Sequence, residues 1–116
     1  MLDASGFDAS NKIHRNWSRT PASLRQALRG LDIVYYLKTD DEHVKIGTTA
    51  DIVERLRKLK ADWSDVLAFE LGSYDLEAER HRQFSHIRVD GCERFRLKPE
   101  LVQHITDRRA ALGVSE

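Results

Sequence analysis

The first group of residues suited to catalysis or ligand binding lies in a segment with helical periodicity. Glu77, His81 and Phe84 stand four and three positions apart, which on a helix places a carboxylate, an imidazole and an aromatic ring on one face. A carboxylate and an imidazole so placed can share one ligand. The alternative is an exposed Glu–His pair that contributes little, because charged residues usually occupy helix surfaces.

Arg55 is the second candidate. It falls on a different side of its helix from Leu56 and Leu59, in a stretch rich in other charged residues. A guanidinium can hold a phosphate through two parallel hydrogen bonds, which makes lysine a poor replacement. The alternative for Arg55 is a position on a solvated helix face.

Two adjacent tyrosines, Tyr35 and Tyr36, occupy the strand-like run "VYYLK". Successive residues of a strand point to opposite faces of the sheet. We therefore expect only one of them in the core, and the other either to have a second role or to lie at an exposed sheet edge.

Periodicity and turn residues predict the elements that must position these side chains. The runs "DIVYYLK" and "HVKIG", joined by the polar loop "TDDE", predict an antiparallel hairpin. A helix follows in "DIVERLRKLKA", with Asp51 as its N-cap. A third strand is expected in "DVLAFELG", and a helix in "DLEAERHRQFSHI" with apolar positions Leu76, Phe84 and Ile87.

The C-terminal part predicts a short strand, "RFRL", and a last helix, "KPELVQHITDRRAALG", with Pro99 near its start and Gly113 at its end. The predicted class is α/β in the α+β sense: a small antiparallel three-stranded sheet flanked by helices. Residues 1–19 show no sustained period and predict an arm. Residues 20–116 form the predicted domain, which opens with a short helix over "TPASLRQALRG".

Composition narrows the class of protein. The 116 residues, 41% hydrophobic and 33% charged, indicate one globular domain. The 19 basic and 19 acidic residues give a net charge of +0, which argues weakly against DNA, although a basic face can coexist with an acidic one. The single Cys92 excludes an internal disulfide, and no zinc-site spacing occurs. We find no membrane span or signal peptide and expect a cytoplasmic protein.

Several of these segments, taken in order, resemble one nuclease superfamily. The order "IVYYLK", "VKIGTTADIVERL", "DLEAERHRQF" and "RVDGCERFRL" resembles the GIY-YIG nucleases, in particular a compact phage and bacterial branch with a Lys-Ile-Gly second motif and a Glu-x-x-x-His-x-x-Phe helix. The resemblance covers about residues 32 to 106. It implies a GIY-YIG-like fold and a bacterial or infected host cell as the setting.

The resemblance also implies roles for individual residues. Tyr35 matches the first motif tyrosine and Lys45 replaces the second, while Arg55 matches the helix arginine. Glu77 matches the metal-binding glutamate and His81 the histidine of this branch. These five are the predicted catalytic residues, with Glu77 as the metal ligand.

The predicted substrate-binding residues are Tyr36, Thr48, Arg55 and Lys58. Departures from the family pattern are Ile33 for a glycine, Lys45 for a tyrosine, Arg94 for a tryptophan, and Cys92 inserted before Glu93. We expect the first two to touch the catalytic neighbourhood and the others to affect packing or contacts. Glu93 is expected to brace the site, for example by pairing with Arg88.

The implied activity is metal-dependent hydrolysis of DNA phosphodiester bonds. One Mg²⁺ or Mn²⁺ held by a carboxylate can offset charge on the phosphate and on the leaving oxygen. Tyr35 is the expected general base, helped by the charge of Lys45, and His81 is expected to orient water or to transfer a proton. The alternative for His81 is a polar residue filling the interface between sheet and helix.

DNA is the expected partner. A homodimer or a partner protein is expected to supply DNA specificity and a second cut. The alternative function is a catalytically inactive GIY-YIG-like module that binds nucleic acid or protein, and a weaker one is a structural or inhibitory phage protein on the same scaffold.

Overall fold

The computed structural model describes residue 28, residues 30–89 and residues 91–111. The predicted arm, nearly all of the leading helix and the helix end at Gly113 lie outside these residues. The described chain contains four strands, three α-helices and two short 3₁₀ turns. They are β1 (Ile33–Asp40), β2 (His43–Thr49), α1 (Ile52–Leu59), a turn at Trp63–Asp65, β3 (Val66–Leu71), α2 (Tyr74–Gln83), a turn at Ser85–Ile87, β4 (Arg94–Arg96) and α3 (Pro99–Ala111).

The sheet has four antiparallel strands in the order β3-β1-β2-β4. The predicted hairpin of β1 and β2 is confirmed, but the prediction of a three-stranded sheet is wrong. The segment expected as a short strand joins the sheet as β4, which pairs with His43–Lys45 of β2. It has only three residues, of which Phe95 alone is buried, so its sequence carries almost none of the alternation that marks a strand.

The helices follow local signals with one exception. Asp51 caps α1 as predicted, because its side chain accepts a hydrogen bond from the Glu54 backbone N–H at 3.1 Å. The second helix is shorter than predicted: it ends at Gln83, and Phe84 and Ile87 are buried beyond its end. None of the helices within the described ranges has the length and apolarity needed to cross a membrane.

Both faces of the sheet are covered, and this determines where the two tyrosines lie. Tyr35 and Tyr36 are each 0% exposed, so the expectation that only one would be in the core is wrong. The side chains do point to opposite faces, as pleating requires. Tyr35 packs with Ile52 and Leu56 of α1, on a side that we call the α1 face. Tyr36 packs among residues that include Leu101 of α3, on the α3 face.

A polar network is enclosed on the α3 face. Tyr36 Oη donates to Glu70 Oε2 at 2.5 Å, and Arg80 contacts both oxygens of that carboxylate, at 2.9 and 2.7 Å. His104 Nε2 lies 2.8 Å from Tyr36 Oη. Because the single hydroxyl proton goes to Glu70, this nitrogen must be the donor. The network therefore joins β1, β3, α2 and α3.

The pKa values in the network follow from these contacts. Burial raises the pKa of Tyr36 far above its ordinary value, and the hydrogen bond to Glu70 acts in the same direction. Burial alone would also raise the pKa of Glu70, but the hydrogen bonds that it accepts outweigh burial and hold the pKa well below its ordinary value. Glu70 is therefore ionised and Tyr36 neutral over the whole physiological range.

Candidate functional site

The first part of the candidate site is a tyrosine lying over a glycine. Tyr35 of β1 is paired with Gly47 of β2 in the hairpin register. A Cβ placed on Gly47 would lie 2.6 Å from Tyr35 Oη and 2.8 Å from Cζ. Only a glycine at this position leaves room for the tyrosine ring, which explains the glycine of the "KIG" segment without reference to its backbone conformation.

This close approach predicts the effect of Gly47→Ala. We expect a loss of about 1–3 kcal/mol in the free energy of unfolding, because the added methyl must displace a fully buried ring. Urea denaturation measures the loss. Tyr35→Phe removes the nearest atom, so Gly47→Ala should cost less in that background. An equal cost in both backgrounds would contradict the contact.

Arg55 of α1 lies against the same tyrosine. Its Nη1 donates to Tyr35 Oη at 3.4 Å, a long hydrogen bond. No carboxylate among the described residues forms an ion pair with Arg55, whereas its neighbour Arg57 pairs with Glu54. The guanidinium of Arg55 therefore keeps donors for an anion.

Glu77 of α2 supplies the carboxylate. Its side chain is 15% exposed, and in the described chain it forms one ion pair, with His81 Nε2 4.0 Å from Oε2. Burial raises the pKa of Glu77 above its ordinary value, and the charge of Glu93 acts in the same direction. Three basic side chains oppose the shift, those of His81, Lys45 and Arg55. The structure thus brings Lys45, Arg55, Glu77 and His81 into one electrostatic neighbourhood.

His81 has a structural partner as well. Its Nε2 lies 2.9 Å from the backbone oxygen of Ile46, and its ring packs on Phe95 with centroids 5.1 Å apart. A carbonyl oxygen only accepts, so Nε2 carries the proton and Nδ1 is left as the acceptor of the neutral ring. This geometry agrees with the expectation of a polar residue at the interface of sheet and helix, and it also leaves one nitrogen for proton transfer.

Glu93, which is expected to brace the site, belongs to this neighbourhood, although it is not among the predicted catalytic, substrate-binding or metal-binding residues. Its Oε1 lies 3.6 Å from Lys45 Nζ. The suggested pairing with Arg88 is wrong, because Arg88 Nε donates to the backbone oxygen of Cys92 at 2.6 Å. The sequence places Glu93 near Lys45 only indirectly. Glu93 precedes Arg94, and Arg94 pairs with Lys45 across β2 and β4, so the prediction requires that β4 be recognised as a strand of the sheet.

The remaining predicted substrate residues are dispersed. Tyr36 lies on the opposite face of the sheet, inside the polar network, and is not brought to this site. Thr48 is partly buried, and its hydroxyl donates to the backbone oxygen of Ile33 at 2.9 Å. Lys58 is exposed on α1. The geometry therefore groups the predicted catalytic residues more closely than the predicted substrate residues.

The oxygen donors of this neighbourhood fit a hard cation. Across residues 28, 30–89 and 91–111, no group of three or more His, Cys, Asp or Glu side chains could hold a metal ion. Mg²⁺ does not require such a group, since it keeps several waters and is usually bound through one or two carboxylates plus substrate phosphates. A poorly solvated carboxylate near a second carboxylate, as at Glu77 and Glu93, is stabilised by a cation.

One comparison with known proteins identifies the family. No curated protein and no solved structure gives a significant match to the chain. The model of the T5orf172 domain matches residues 32–109, about two thirds of the sequence and nearly the same stretch that carries the GIY-YIG resemblance. This is a phage-type domain, and it is nuclease-like at the level of the family. The chain belongs to the T5orf172 domain family.

Proposed function

We propose that this protein is a metal-dependent DNA endonuclease of the GIY-YIG type, which hydrolyses phosphodiester bonds. One observation carries the proposal. Arg55 donates to Tyr35 Oη at 3.4 Å and forms no ion pair with a described carboxylate, so a guanidinium able to bind phosphate lies beside the matched tyrosine. The nuclease-like family supports the class of reaction.

Two positively charged side chains of the site can bind a phosphate group of the substrate. Arg55 offers a planar set of donors that matches two phosphate oxygens, and Lys45 offers a point charge. Lys45 already has a partner in Glu93, at 3.6 Å, so its charge is partly balanced before substrate arrives. Arg55 is therefore the principal phosphate ligand of the proposed site.

Glu77 is the residue that would hold the divalent cation, with phosphate oxygens and water completing the shell. When bound, Mg²⁺ or Mn²⁺ would supply Lewis-acid stabilisation of the charge that develops on the phosphate. The charge of Glu77 also attracts the cationic side chains of Arg55 and Lys45.

Two groups can take the proton of the attacking water. Tyr35 is 0% exposed and its hydroxyl accepts from Arg55 at 3.4 Å, so it can act as the base only if substrate binding uncovers that hydroxyl. In His81, Nε2 donates to the Ile46 backbone oxygen, which leaves Nδ1 as the proton acceptor of the neutral ring. The resemblance to the GIY-YIG nucleases assigns the general base to Tyr35. The exposure of the side chains favours His81, which is 16% exposed, whereas Tyr35 is 0% exposed.

The buried Tyr35 hydroxyl also favours a second candidate function. A tyrosine that is 0% exposed and hydrogen-bonded to Arg55 can serve purely to position that arginine. The domain would then bind nucleic acid through Arg55 and Lys45 without cutting it. The two candidates differ in one measurement, which is cleavage itself.

The test compares the wild type with Arg55→Lys in the nicking of supercoiled plasmid. We expect wild-type nicking with Mg²⁺ or Mn²⁺ and none with a chelator. Arg55→Lys should lose roughly 10²-fold or more in rate, as when one transition-state donor is removed. Arg57→Lys is the matched control on the same helix, since Arg57 is exposed and already paired with Glu54. Nicking that persists in chelator, or an Arg55→Lys rate equal to the control, would contradict the proposal.

A further inference from the structure

A second group of cations continues from the candidate site along the edge of the sheet. In β4, Phe95 is buried on the α3 face, so Arg94 and Arg96 point to the other face, where both are exposed. Register places Arg94 opposite Lys45 and Arg96 opposite His43. Lys45, Arg94 and Arg96, which we call the basic strip, therefore lie on the same sheet face as Gly47 and Tyr35.

The arginines of the strip differ from several others in the described chain because they have no carboxylate partner. Arg57, Arg80 and Arg108 each form an ion pair with a glutamate. For Arg94 and Arg96 no such pair is formed with any described carboxylate, and the one hydrogen bond of Arg96 is a 3.5 Å contact from Nη1 to a backbone oxygen. In a chain of net charge +0, unpaired cations collected on one edge form a local positive potential.

The strip also carries an electrostatic cost. Like charges directly opposite each other on neighbouring strands are destabilising, and Lys45 faces Arg94 across an antiparallel pair. The carboxylate of Glu93 compensates one of these two charges, at 3.6 Å from Lys45. A row of negative charges laid along the strip would remove the remaining repulsion.

The far end of the strip opens into a cavity of about 250 Å³. Its lining contains basic side chains together with one carboxylate, and consists of Glu42, His43, Arg96, Leu97 and Lys98. His43 is held there by Asp40, whose Oδ1 lies 2.8 Å from Nδ1. The cavity thus adds one further exposed cation, Lys98, beside Arg96 at the end of the strip.

We propose that the basic strip binds the sugar-phosphate backbone of DNA next to the phosphate held at Arg55. The inference rests on the proposed function and adds the path of the strand to it. From Lys45 to His43, the residue opposite Arg96, β2 advances by two residues, a length of roughly 7 Å at about 3.4 Å per residue. With about 3.4 Å of axis per nucleotide of one strand, the strip spans roughly two nucleotides on one side of the scissile phosphate.

The test is the salt dependence of DNA binding. A fluorescein-labelled duplex of about 20 base pairs is titrated in chelator, which prevents cutting, and the dissociation constant is followed by anisotropy over a range of NaCl. The slope of log affinity against log salt is negative, and each lost phosphate contact reduces its magnitude by about 0.9. The double variant Arg94→Gln, Arg96→Gln should therefore reduce the magnitude of the slope by about 2.

Two further variants make the result specific. Arg57→Gln combined with Arg82→Gln removes the same net charge from exposed positions outside the strip, and its slope should stay near that of the wild type. Arg94→Lys with Arg96→Lys keeps the charges and should keep the slope. An unchanged slope in the glutamine variant, an equal fall in the control, or a wild type that does not bind DNA would each overturn the proposal.

Binding and cutting separate the two proposals. If the wild type binds DNA with a slope that depends on the strip but never nicks plasmid with metal, the nuclease function fails and the strip stands. If plasmid is nicked and the slope is insensitive to Arg94 and Arg96, the strip fails and the nuclease stands.

Discussion

Glu77→Gln is expected to abolish nicking while leaving the fold intact or more stable. The carboxylate is the proposed ligand of the cation, and several kcal/mol of transition-state stabilisation correspond to a loss of roughly 10²–10⁴-fold in rate. At the same time, burial raises the pKa of Glu77, which means that its charged form is disfavoured in the folded state. A neutral glutamine removes that penalty, so plasmid nicking and urea denaturation should change in opposite directions.

The control for Glu77→Gln is Glu79→Gln on the same helix, where the side chain is 61% exposed. This variant should cut like the wild type and show little change in stability. Binding of the labelled duplex in chelator should survive in both variants. A Glu77→Gln protein that still nicks DNA would show that the cation is held elsewhere, and one that unfolds would show that Glu77 is structural.

Glu70→Ala is expected to produce the largest loss of stability among these variants, about 3–5 kcal/mol, because it leaves the charge of a largely buried arginine without its partner. The side chain of Glu70 is 9% exposed and that of Arg80 16%. The variant also removes the acceptor of the Tyr36 hydroxyl, which is buried on the α3 face. The total free energy of unfolding of a native protein is about 5–15 kcal/mol, so this loss would be a large fraction of it.

Chemical denaturation of Glu70→Ala beside Glu79→Ala measures this contribution. Both glutamates contact Arg80, at 2.7 and 3.9 Å, but only Glu70 is enclosed, so the loss in Glu79→Ala should be small. The pKa of Glu70 is depressed in the folded state, so its stabilisation is present above its ordinary value of 4.5 and is lost as the pH falls through the folded pKa. Equal losses in the two variants would show that the enclosed pair of Glu70 and Arg80 contributes no more than an exposed ion pair.

Local patterns were sufficient to predict most of the elements. Asp51 marks the start of α1, Pro99 marks the start of α3, and the polar "TDDE" segment contains the two-residue turn of the hairpin at Asp41 and Glu42, because caps and turns depend on neighbours in the sequence. The fourth strand was not counted in the sheet, since Phe95 is its single buried residue. Phe84 and Ile87 continue the helical spacing but lie beyond the end of α2, which periodicity alone cannot detect.

The candidate site was predictable only as a set of residue types in order. Arg55 and Glu77 were identified through a resemblance, and the contact of Arg55 with Tyr35 depends on how α1 packs on the sheet. The buried network could not be predicted, because Glu70 looks like an ordinary exposed position of an alternating strand and His104 sits 34 residues further along the chain. The pairing of each carboxylate with a cationic side chain depends on how the helices pack on the sheet, which local sequence patterns do not determine.

The adjacent tyrosines have a consequence for folding fidelity. A one-residue slip of β1 would move every side chain of the strand to the other face. Tyr36 would then enter the gap over Gly47, and its hydroxyl would leave Glu70 with one donor fewer in a buried place. Tyr35 would meet the network from the wrong position at the same time. Because a tyrosine would still lie over Gly47 after the slip, the penalty falls on the α3 face, where the network of Glu70 and Arg80 would lose the Tyr36 hydroxyl. The network thus favours the correct alignment of the central strand before any ligand is present.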